Sequence, residues 1–264
     1  MKLLKLKGLL LLTLGVMLFT SCSEYNKILK SNDKELIYEE AMRLYENESY
    51  SRALQLFDRI AVHVKGTDKE APLNYYYAQC YYLQYDYTLA NYYFMKYAKQ
   101  FPFSTQAEEC YFLAALCKYK ESSVYSLDPT PTNDAITQLQ GFINYYPNSD
   151  KVEECNKYID ELRAKLEEKD YKIAMMYLRM EEYKAAVVCF NNILKDFPDT
   201  QHKEEILYNV VRAKYEYAKN SVSDKKAERY KEVIDAYYKF ISLYPDSEYG
   251  RSVESYFKVA KQFV

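Results

Sequence analysis

Glycine and proline are scarce in this chain, five and seven of 264 residues, and tryptophan is absent. Sheet proteins turn every few residues and draw on Gly and Pro to do so, which argues against an all-β fold. Histidine occurs only at His63, which reads as the end of one helix, and His202, at the start of another; neither has a neighbour at metal-ligand spacing. No Gly-rich phosphate loop, nucleophile elbow or HExxH stretch is present. The formal net charge of −2 leaves no broad electrostatic footprint for nucleic acid or for an acidic membrane. Acidic pairs such as Glu39-Glu40, Glu108-Glu109, Glu153-Glu154 and Glu167-Glu168 fall where first turns and polar faces of helices are expected. There they complement helix dipoles and neighbouring lysines, so they are solvated faces rather than acid/base pairs. The chain therefore reads as non-enzymatic, with no catalytic residue, no metal and no cofactor.

What the chain has is tyrosine, 32 residues of it. Tyrosine packs through its ring and needs a partner or water for its hydroxyl, which suits thin helical layers with many half-buried side chains. The cysteines are fewer. Cys80, Cys110, Cys117, Cys155 and Cys189 form neither a CxxC nor a zinc spacing, and an odd number cannot all pair. All five read as small buried apolar residues.

The N-terminal stretch reads as an address. Lys2, Lys5 and Lys7 precede an apolar run from Leu9 to Phe19, too short for the ~20 residues of a membrane-spanning helix and suited to a signal peptide. It ends in Leu18-Phe19-Thr20-Ser21-Cys22, which resembles the lipobox of bacterial lipoproteins, with Phe19 departing from the usual Leu. Residues 1–21 are thus expected to be cleaved, and Cys22 to carry acyl chains that anchor the protein stably. Ser23 stands where an inner-membrane retention Asp is found, which favours the outer membrane, on its periplasmic face. Residues 22–32 are expected to be the acylated cysteine and a short polar tether.

Internal repeats organise the rest. Ala41 and Ala53, with Tyr50 and Phe57, have the pattern of a helical hairpin whose small residues mark the crossing of two helices. Ala78 with Tyr87, Ala90, Phe94 and Pro102 repeats it, as does Ala174 with Tyr183, Ala186, Phe190 and Pro198. Small residues at this spacing let helix backbones approach closely while aromatics fill the groove between hairpins. Two looser units follow the same plan: Ala115 with Ala135, Leu139 and Pro147, and Ala213 with Tyr230, Val233, Tyr237 and Pro245. Their extra length predicts loops, one around Asp128-Pro129-Thr130-Pro131-Thr132 and one around Lys219 to Asp224. Second helices stop at Phe101-Pro102, Tyr146-Pro147, Phe197-Pro198 and Tyr244-Pro245, and the Asn, Asp or Ser that follows is expected to cap the next helix. One long helix, or two helices stacked end to end, is expected from Ser149 to Met180, and a capping helix from Ser247 to Phe263. The fold class is therefore all-α, a TPR-like α-solenoid of about five helical hairpins plus a C-terminal capping helix. Residues 33–148 form an N-terminal half, and 149–264 a C-terminal half with the long linking helix.

Tyrosines cluster in the second hairpin, at Tyr75-Tyr76-Tyr77, Tyr81-Tyr82 and Tyr92-Tyr93. Adjacent rings on a helix point ~100° apart, so they cannot all be buried. Tyr77, Tyr81 and Phe94 are assigned to packing, and Tyr75, Tyr82 and Tyr93 to a groove that receives an extended client peptide.

With the lipobox at Cys22, the opening Leu36-Ile37-Tyr38-Glu39-Glu40-Ala41 and the later Ile173-Ala174-Met175-Met176-Tyr177 and Asp196-Phe197-Pro198-Asp199-Thr200, the chain resembles the BamD-type lipoproteins of the outer-membrane β-barrel assembly (Bam) machinery. The resemblance extends over nearly the whole mature chain, including the order of the irregular repeats. It implies binding of the periplasmic POTRA region of BamA through the C-terminal repeats and of unfolded outer-membrane proteins through the N-terminal ones. Glu181-Glu182 departs from the pattern, standing where such repeats often carry Gly. The alternative is another TPR lipoprotein acting as a periplasmic scaffold or adaptor.

Overall fold

The computed structural model describes residues 25–264, all helix and connecting turns among the described residues. The signal segment and Cys22 lie outside the described residues. After a short helix α1 over 25–29 come hairpins α2 (Lys34–Glu46)/α3 (Tyr50–Val64), α4 (Glu70–Leu83)/α5 (Tyr87–Gln100) and α6 (Ala107–Glu121)/α7 (Thr130–Tyr145). Next come α8 (Val152–Arg179)/α9 (Tyr183–Asp196), α10 (Lys203–Lys219)/α11 (Ser223–Leu243) and the single α12 (Gly250–Ala260). Two compact units result. Unit 1 runs to Ser122 and takes in Thr130–Ile159; unit 2 holds Ser123–Pro129 and Asp160–Val264.

The expected crossings are where the backbones meet. Ala41 and Ala53, Ala78 and Ala90, Ala115 and Ala135, Ala174 and Ala186, and Ala213 and Val233 are all 0% exposed. Four positions after each second-helix member of these pairs, Phe57, Phe94, Leu139 and Phe190 are likewise sealed. Burying one such side chain contributes ~1.5–3 kcal/mol. The fifth repeat departs: Tyr237 is half-buried and Phe240 takes the interior place.

The turns repeat as closely as the crossings. Glu48, Tyr85 and Glu181 all take positive φ, at 58°, 63° and 62°. Each is followed by a backbone N–H that reaches back over the helix end: Ser49 to Leu44 O at 2.8 Å, Asp86 to Tyr81 O and Glu182 to Tyr177 O at 3.0 Å. This is a Schellman stop, normally built on Gly; these three pay for the left-handed conformation with strain. At the other end of the four later hairpins, Phe101, Tyr146, Phe197 and Tyr244 donate back into the second helix. The expected Asn, Asp or Ser caps are not made on α6, α10 and α12, which start without a side-chain cap; in three of these four connections a Ser or Thr three residues after the aromatic bonds within the turn ahead of the helix instead. Ser149 Oγ accepts from Lys151 N at 3.1 Å, and Thr200 Oγ1 and Ser247 Oγ accept from His202 N and Tyr249 N at 3.0 Å.

Four expectations need correction. Thr130, Pro131 and Thr132 are helical: Pro131 sits in the first turn of α7, where its missing N–H costs nothing, and Thr132 is buried against Ser122 Oγ at 2.8 Å. The real loop, 122–129, is held down by Lys169 Nζ, which donates to Leu127 O at 2.6 Å and Tyr125 O at 3.2 Å. The extra length of the fifth repeat makes no projecting loop either; it lengthens α10 to 17 and α11 to 21 residues, leaving a short turn between Lys219 and Ser223. Cys189 is half-buried, whereas Cys80, Cys110, Cys117 and Cys155 are in the interior. Finally, the stretch expected as a tether is packed from Tyr25 onward, with Tyr25, Ile28 and Leu29 against the core of the first hairpin.

The long helix α8 is continuous over 28 residues, ~42 Å at 1.5 Å per residue. The last helix, α12, is fastened to unit 2 by stacked rings: Tyr249 on Tyr208 at 4.4 Å, Tyr256 on Tyr215 at 4.5 Å and Phe257 on Tyr237 at 4.2 Å. Beyond it, Phe263 stacks on Tyr230 at 4.4 Å.

Candidate functional site

On unit 1 the tyrosine-rich hairpin α4/α5 forms one aromatic network. Tyr93 lies between Tyr77, 4.7 Å away edge-on, and Tyr81, stacked at 5.3 Å. Tyr77 OH donates to Asp58 at 2.6 Å, and burial with that bond raises its pKa. Tyr82 packs edge-on against Tyr87 and Phe94. Tyr75 touches Tyr76 and Tyr97, and its hydroxyl donates to Glu109 Oε1 of α6 at 3.0 Å. Burial, then the Glu109 charge, pushes its pKa up.

Tyr75, Tyr82 and Tyr93 are thus half-buried, and among the described ring contacts none joins any two of them. Tyr77 and Tyr81, assigned to packing, are equally half-buried, while Phe94 is fully buried. The freely exposed rings of unit 1 are others: Tyr92 at 59%, Tyr145 at 62%, Tyr85 at 78% and Phe103 at 101%. Tyr92 lies 5.0 Å from Tyr93 and borders a surface hollow of ≈ 580 Å³ with Asn91, Met95, Lys96, Lys99 and Gln100. Sequence adjacency had marked Tyr92-Tyr93 as a pair; which ring faces out depends on the helix's rotation against α4.

Unit 2 has a different surface. A hollow of ≈ 400 Å³ is lined by Ala164, Glu167, Glu168, Tyr171, Lys172, His202 and Glu205. Tyr171 OH donates to Glu205 Oε1 at 2.5 Å, its ring stacks on His202 at 6.1 Å, and Thr200 Oγ1 donates to Glu167. Burial and the Glu205 bond raise the Tyr171 pKa. Glu167 and Glu205 are committed to hydroxyl donors, and together with Glu168 they make the hollow a polar, largely acidic contact surface.

Among the described residues no three His, Cys, Asp or Glu come together as a metal site. His63 is exposed near the end of α3, and His202 is exposed as the residue before α10. Among the described residues no helix is long and apolar enough to cross a membrane.

Serial helical hairpins, with small residues at the crossings and function left to the surfaces, define a tetratricopeptide-type scaffold. The profile of the YfiO family, outer membrane lipoproteins, matches residues 30–230, and the chain belongs to that family. Relatives include proteins named outer membrane protein assembly factor BamD. That of Pasteurella multocida is 23% identical over 215 residues, covering 77% of this chain and 82% of the relative. That of Rickettsia prowazekii is 24% identical over 177 residues, covering 67% and 70%. In Caulobacter vibrioides the match is 25% over 113 residues and covers 37% of the relative's length. The crystal structure of the P58(IPK) TPR domain matches 90% of this chain and 67% of that one at 11% identity with a TM-score of 0.41, too distant to add to the fold described above.

Proposed function

We propose that this chain is a lipid-anchored, non-catalytic subunit of the machinery that assembles β-barrel proteins in the outer membrane, facing the periplasm. The observation that carries the reading is the family match across residues 30–230, whose curated relatives are named as outer membrane protein assembly factors. The anchor is the acylated Cys22. The C-terminal half, 149–264, binds the POTRA region of BamA, and the hollow around Glu168 and Lys172 is a polar surface suited to such a partner. The N-terminal half, 33–148, receives unfolded outer-membrane proteins. Its client groove uses the ring edges of Tyr75, Tyr82 and Tyr93, joined by the exposed Tyr92.

The test uses the full mature chain. Cys22→Ser should abolish palmitate labelling and release the protein from the membrane fraction; an unlabelled wild-type chain would remove the anchor. Alanine at Tyr75, Tyr82 and Tyr93 together should weaken binding of a C-terminal client peptide at least ten-fold and leave POTRA binding unchanged. Glu168→Lys with Lys172→Glu should do the reverse. If neither variant changes either affinity while both remain folded, the division of labour is wrong. If the wild-type chain ignores the purified POTRA region altogether, the scaffold serves another partner.

A further inference from the structure

The segment that begins at Tyr25 is docked. Tyr25 OH donates to Gln55 Oε1 at 2.9 Å, and the Arg52 guanidinium lies 5.4 Å from the Tyr25 ring centre. Beyond the other end of α1, Arg59 donates to Ser31 O at 2.5 Å. Two arginines of α3 therefore clip α1 and its exit to the first hairpin. Only Ser23 and Glu24 separate Cys22 from Tyr25, a reach of ~10 Å when fully extended. Lys27 of α1 and Lys30 just after it are exposed. Glu40 pairs with Arg43 at 2.6 Å, and Asp33 accepts the N–H groups of Glu35 and Leu36 as the cap of α2. Beside Lys27 and Arg52 a hollow of ≈ 500 Å³ exposes the apolar side chains of Ile28 and Leu36.

We propose that the α1 face of the first hairpin rests on the membrane itself, with Lys27 and Lys30 on anionic phospholipid headgroups and Arg52 and Arg59 at the edge of the contact. The proposal takes its distance from the anchor reading of Cys22 and its chemistry from the cations. The near-neutral net charge of the chain is no obstacle, because screening within ~8 Å at physiological salt lets only the local charges act. An acyl anchor alone holds the protein to a bilayer but leaves it free to pivot. A packed α1 with a spacer this short turns the anchor into an oriented mount that presents the first hairpin to the surface in one pose.

The full mature chain with Cys22→Ser, which carries no acyl group, isolates the surface term. It should co-sediment with vesicles of phosphatidylethanolamine and phosphatidylglycerol and not with vesicles of phosphatidylcholine. Lys27→Gln with Lys30→Gln should lower that partitioning roughly five-fold per lysine. Both lysines are exposed, so the melting temperature should hold, which separates lost contact from lost fold. Equal binding to both vesicle types, or binding indifferent to the glutamines, overturns the proposal. Palmitate labelling of the unaltered Cys22 chain is read separately. A labelled chain with lysine-indifferent binding keeps the anchor and loses the surface; an unlabelled one with lysine-dependent binding keeps the surface and loses the anchor.

Discussion

Tyr75 in unit 1 and Tyr171 in unit 2 occupy the same place in their repeats, each three residues before the crossing alanine. Each donates its hydroxyl to a glutamate 34 residues further on, at 3.0 Å and 2.5 Å. The same bond therefore ties one hairpin to the next in both units. Around that common bond the surfaces diverge. Tyr75 is ringed by Tyr76 and Tyr97, while Tyr171 sits among Glu167, Glu168, Lys172 and His202. The repeat fixes how hairpins stack, and the side chains facing outward from that stack are free to specialise, aromatic in one unit and polar in the other.

Alkaline pH should break both units, and unequally. Burial raises Tyr45 and Tyr256 to about 12, and Tyr75, Tyr77 and Tyr171 are raised as well. An unfolded phenol ionises near ~10, so between pH ~10 and 12 the unfolded chain binds fewer protons than the folded one. The stability these groups contribute is intact below ~10 and falls as pH rises through that window. Tyrosinate absorbance should lag and then rise together with loss of near-ultraviolet dichroism, unit 1 first because it holds three of these five groups. Tyrosines that all ionise at their ordinary pH in a folded chain would refute this.

Overpacking comes next in size. Ala90→Leu in unit 1 and Ala186→Leu in unit 2 should each cost ~1–3 kcal/mol, because both positions are 0% exposed at a helix crossing. An unchanged denaturation midpoint for either would mean that its crossing is looser than the other. Relieving the left-handed turns should act in the opposite direction. Tyr85→Gly and Glu181→Gly should each stabilise by ~1 kcal/mol, alike in both units, and denaturant titration reads this directly. The smallest and sharpest test is Tyr75→Phe against Tyr171→Phe. Each removes one hydroxyl-to-carboxylate bond and should cost ~0.5–1.5 kcal/mol. A loss confined to one unit would show that the shared bond carries weight only there.

The hairpins were legible because Ala and aromatic residues recur at fixed offsets, and backbone approach tolerates little else at a crossing. The turns were harder to read. Glu48, Tyr85 and Glu181 occupy a conformation that favours Gly; only at Glu181 did the resemblance mark a Gly position, and nothing in Glu48 or Tyr85 announces it. Pro131 misled for another reason: proline ends a helix from within but is at home in its first turn, and the string from Asp128 to Thr132 permits either. As for the candidate groove, the tyrosine cluster was plain, but the partner of Tyr75 lies 34 residues away on the next hairpin, beyond any local pattern. The docking of Tyr25 depends on Gln55 and Arg52 in the same long-range way.

The distribution of thiols has a practical consequence. Cys80, Cys110, Cys117 and Cys155 all lie in unit 1, buried and shifted upward by that burial, with Cys80 and Cys117 to about 12 and Cys155 to about 11. Cys189 alone among the described cysteines belongs to unit 2, half-buried and also shifted upward. With Cys22 acylated or replaced, a maleimide dye at neutral pH therefore meets one slow thiol on the native protein and four silent ones. The silent four become reactive only when unit 1 opens. Labelling stoichiometry followed over time then measures the opening rate of unit 1, with the slow Cys189 signal as an internal reference and no engineered probe in place.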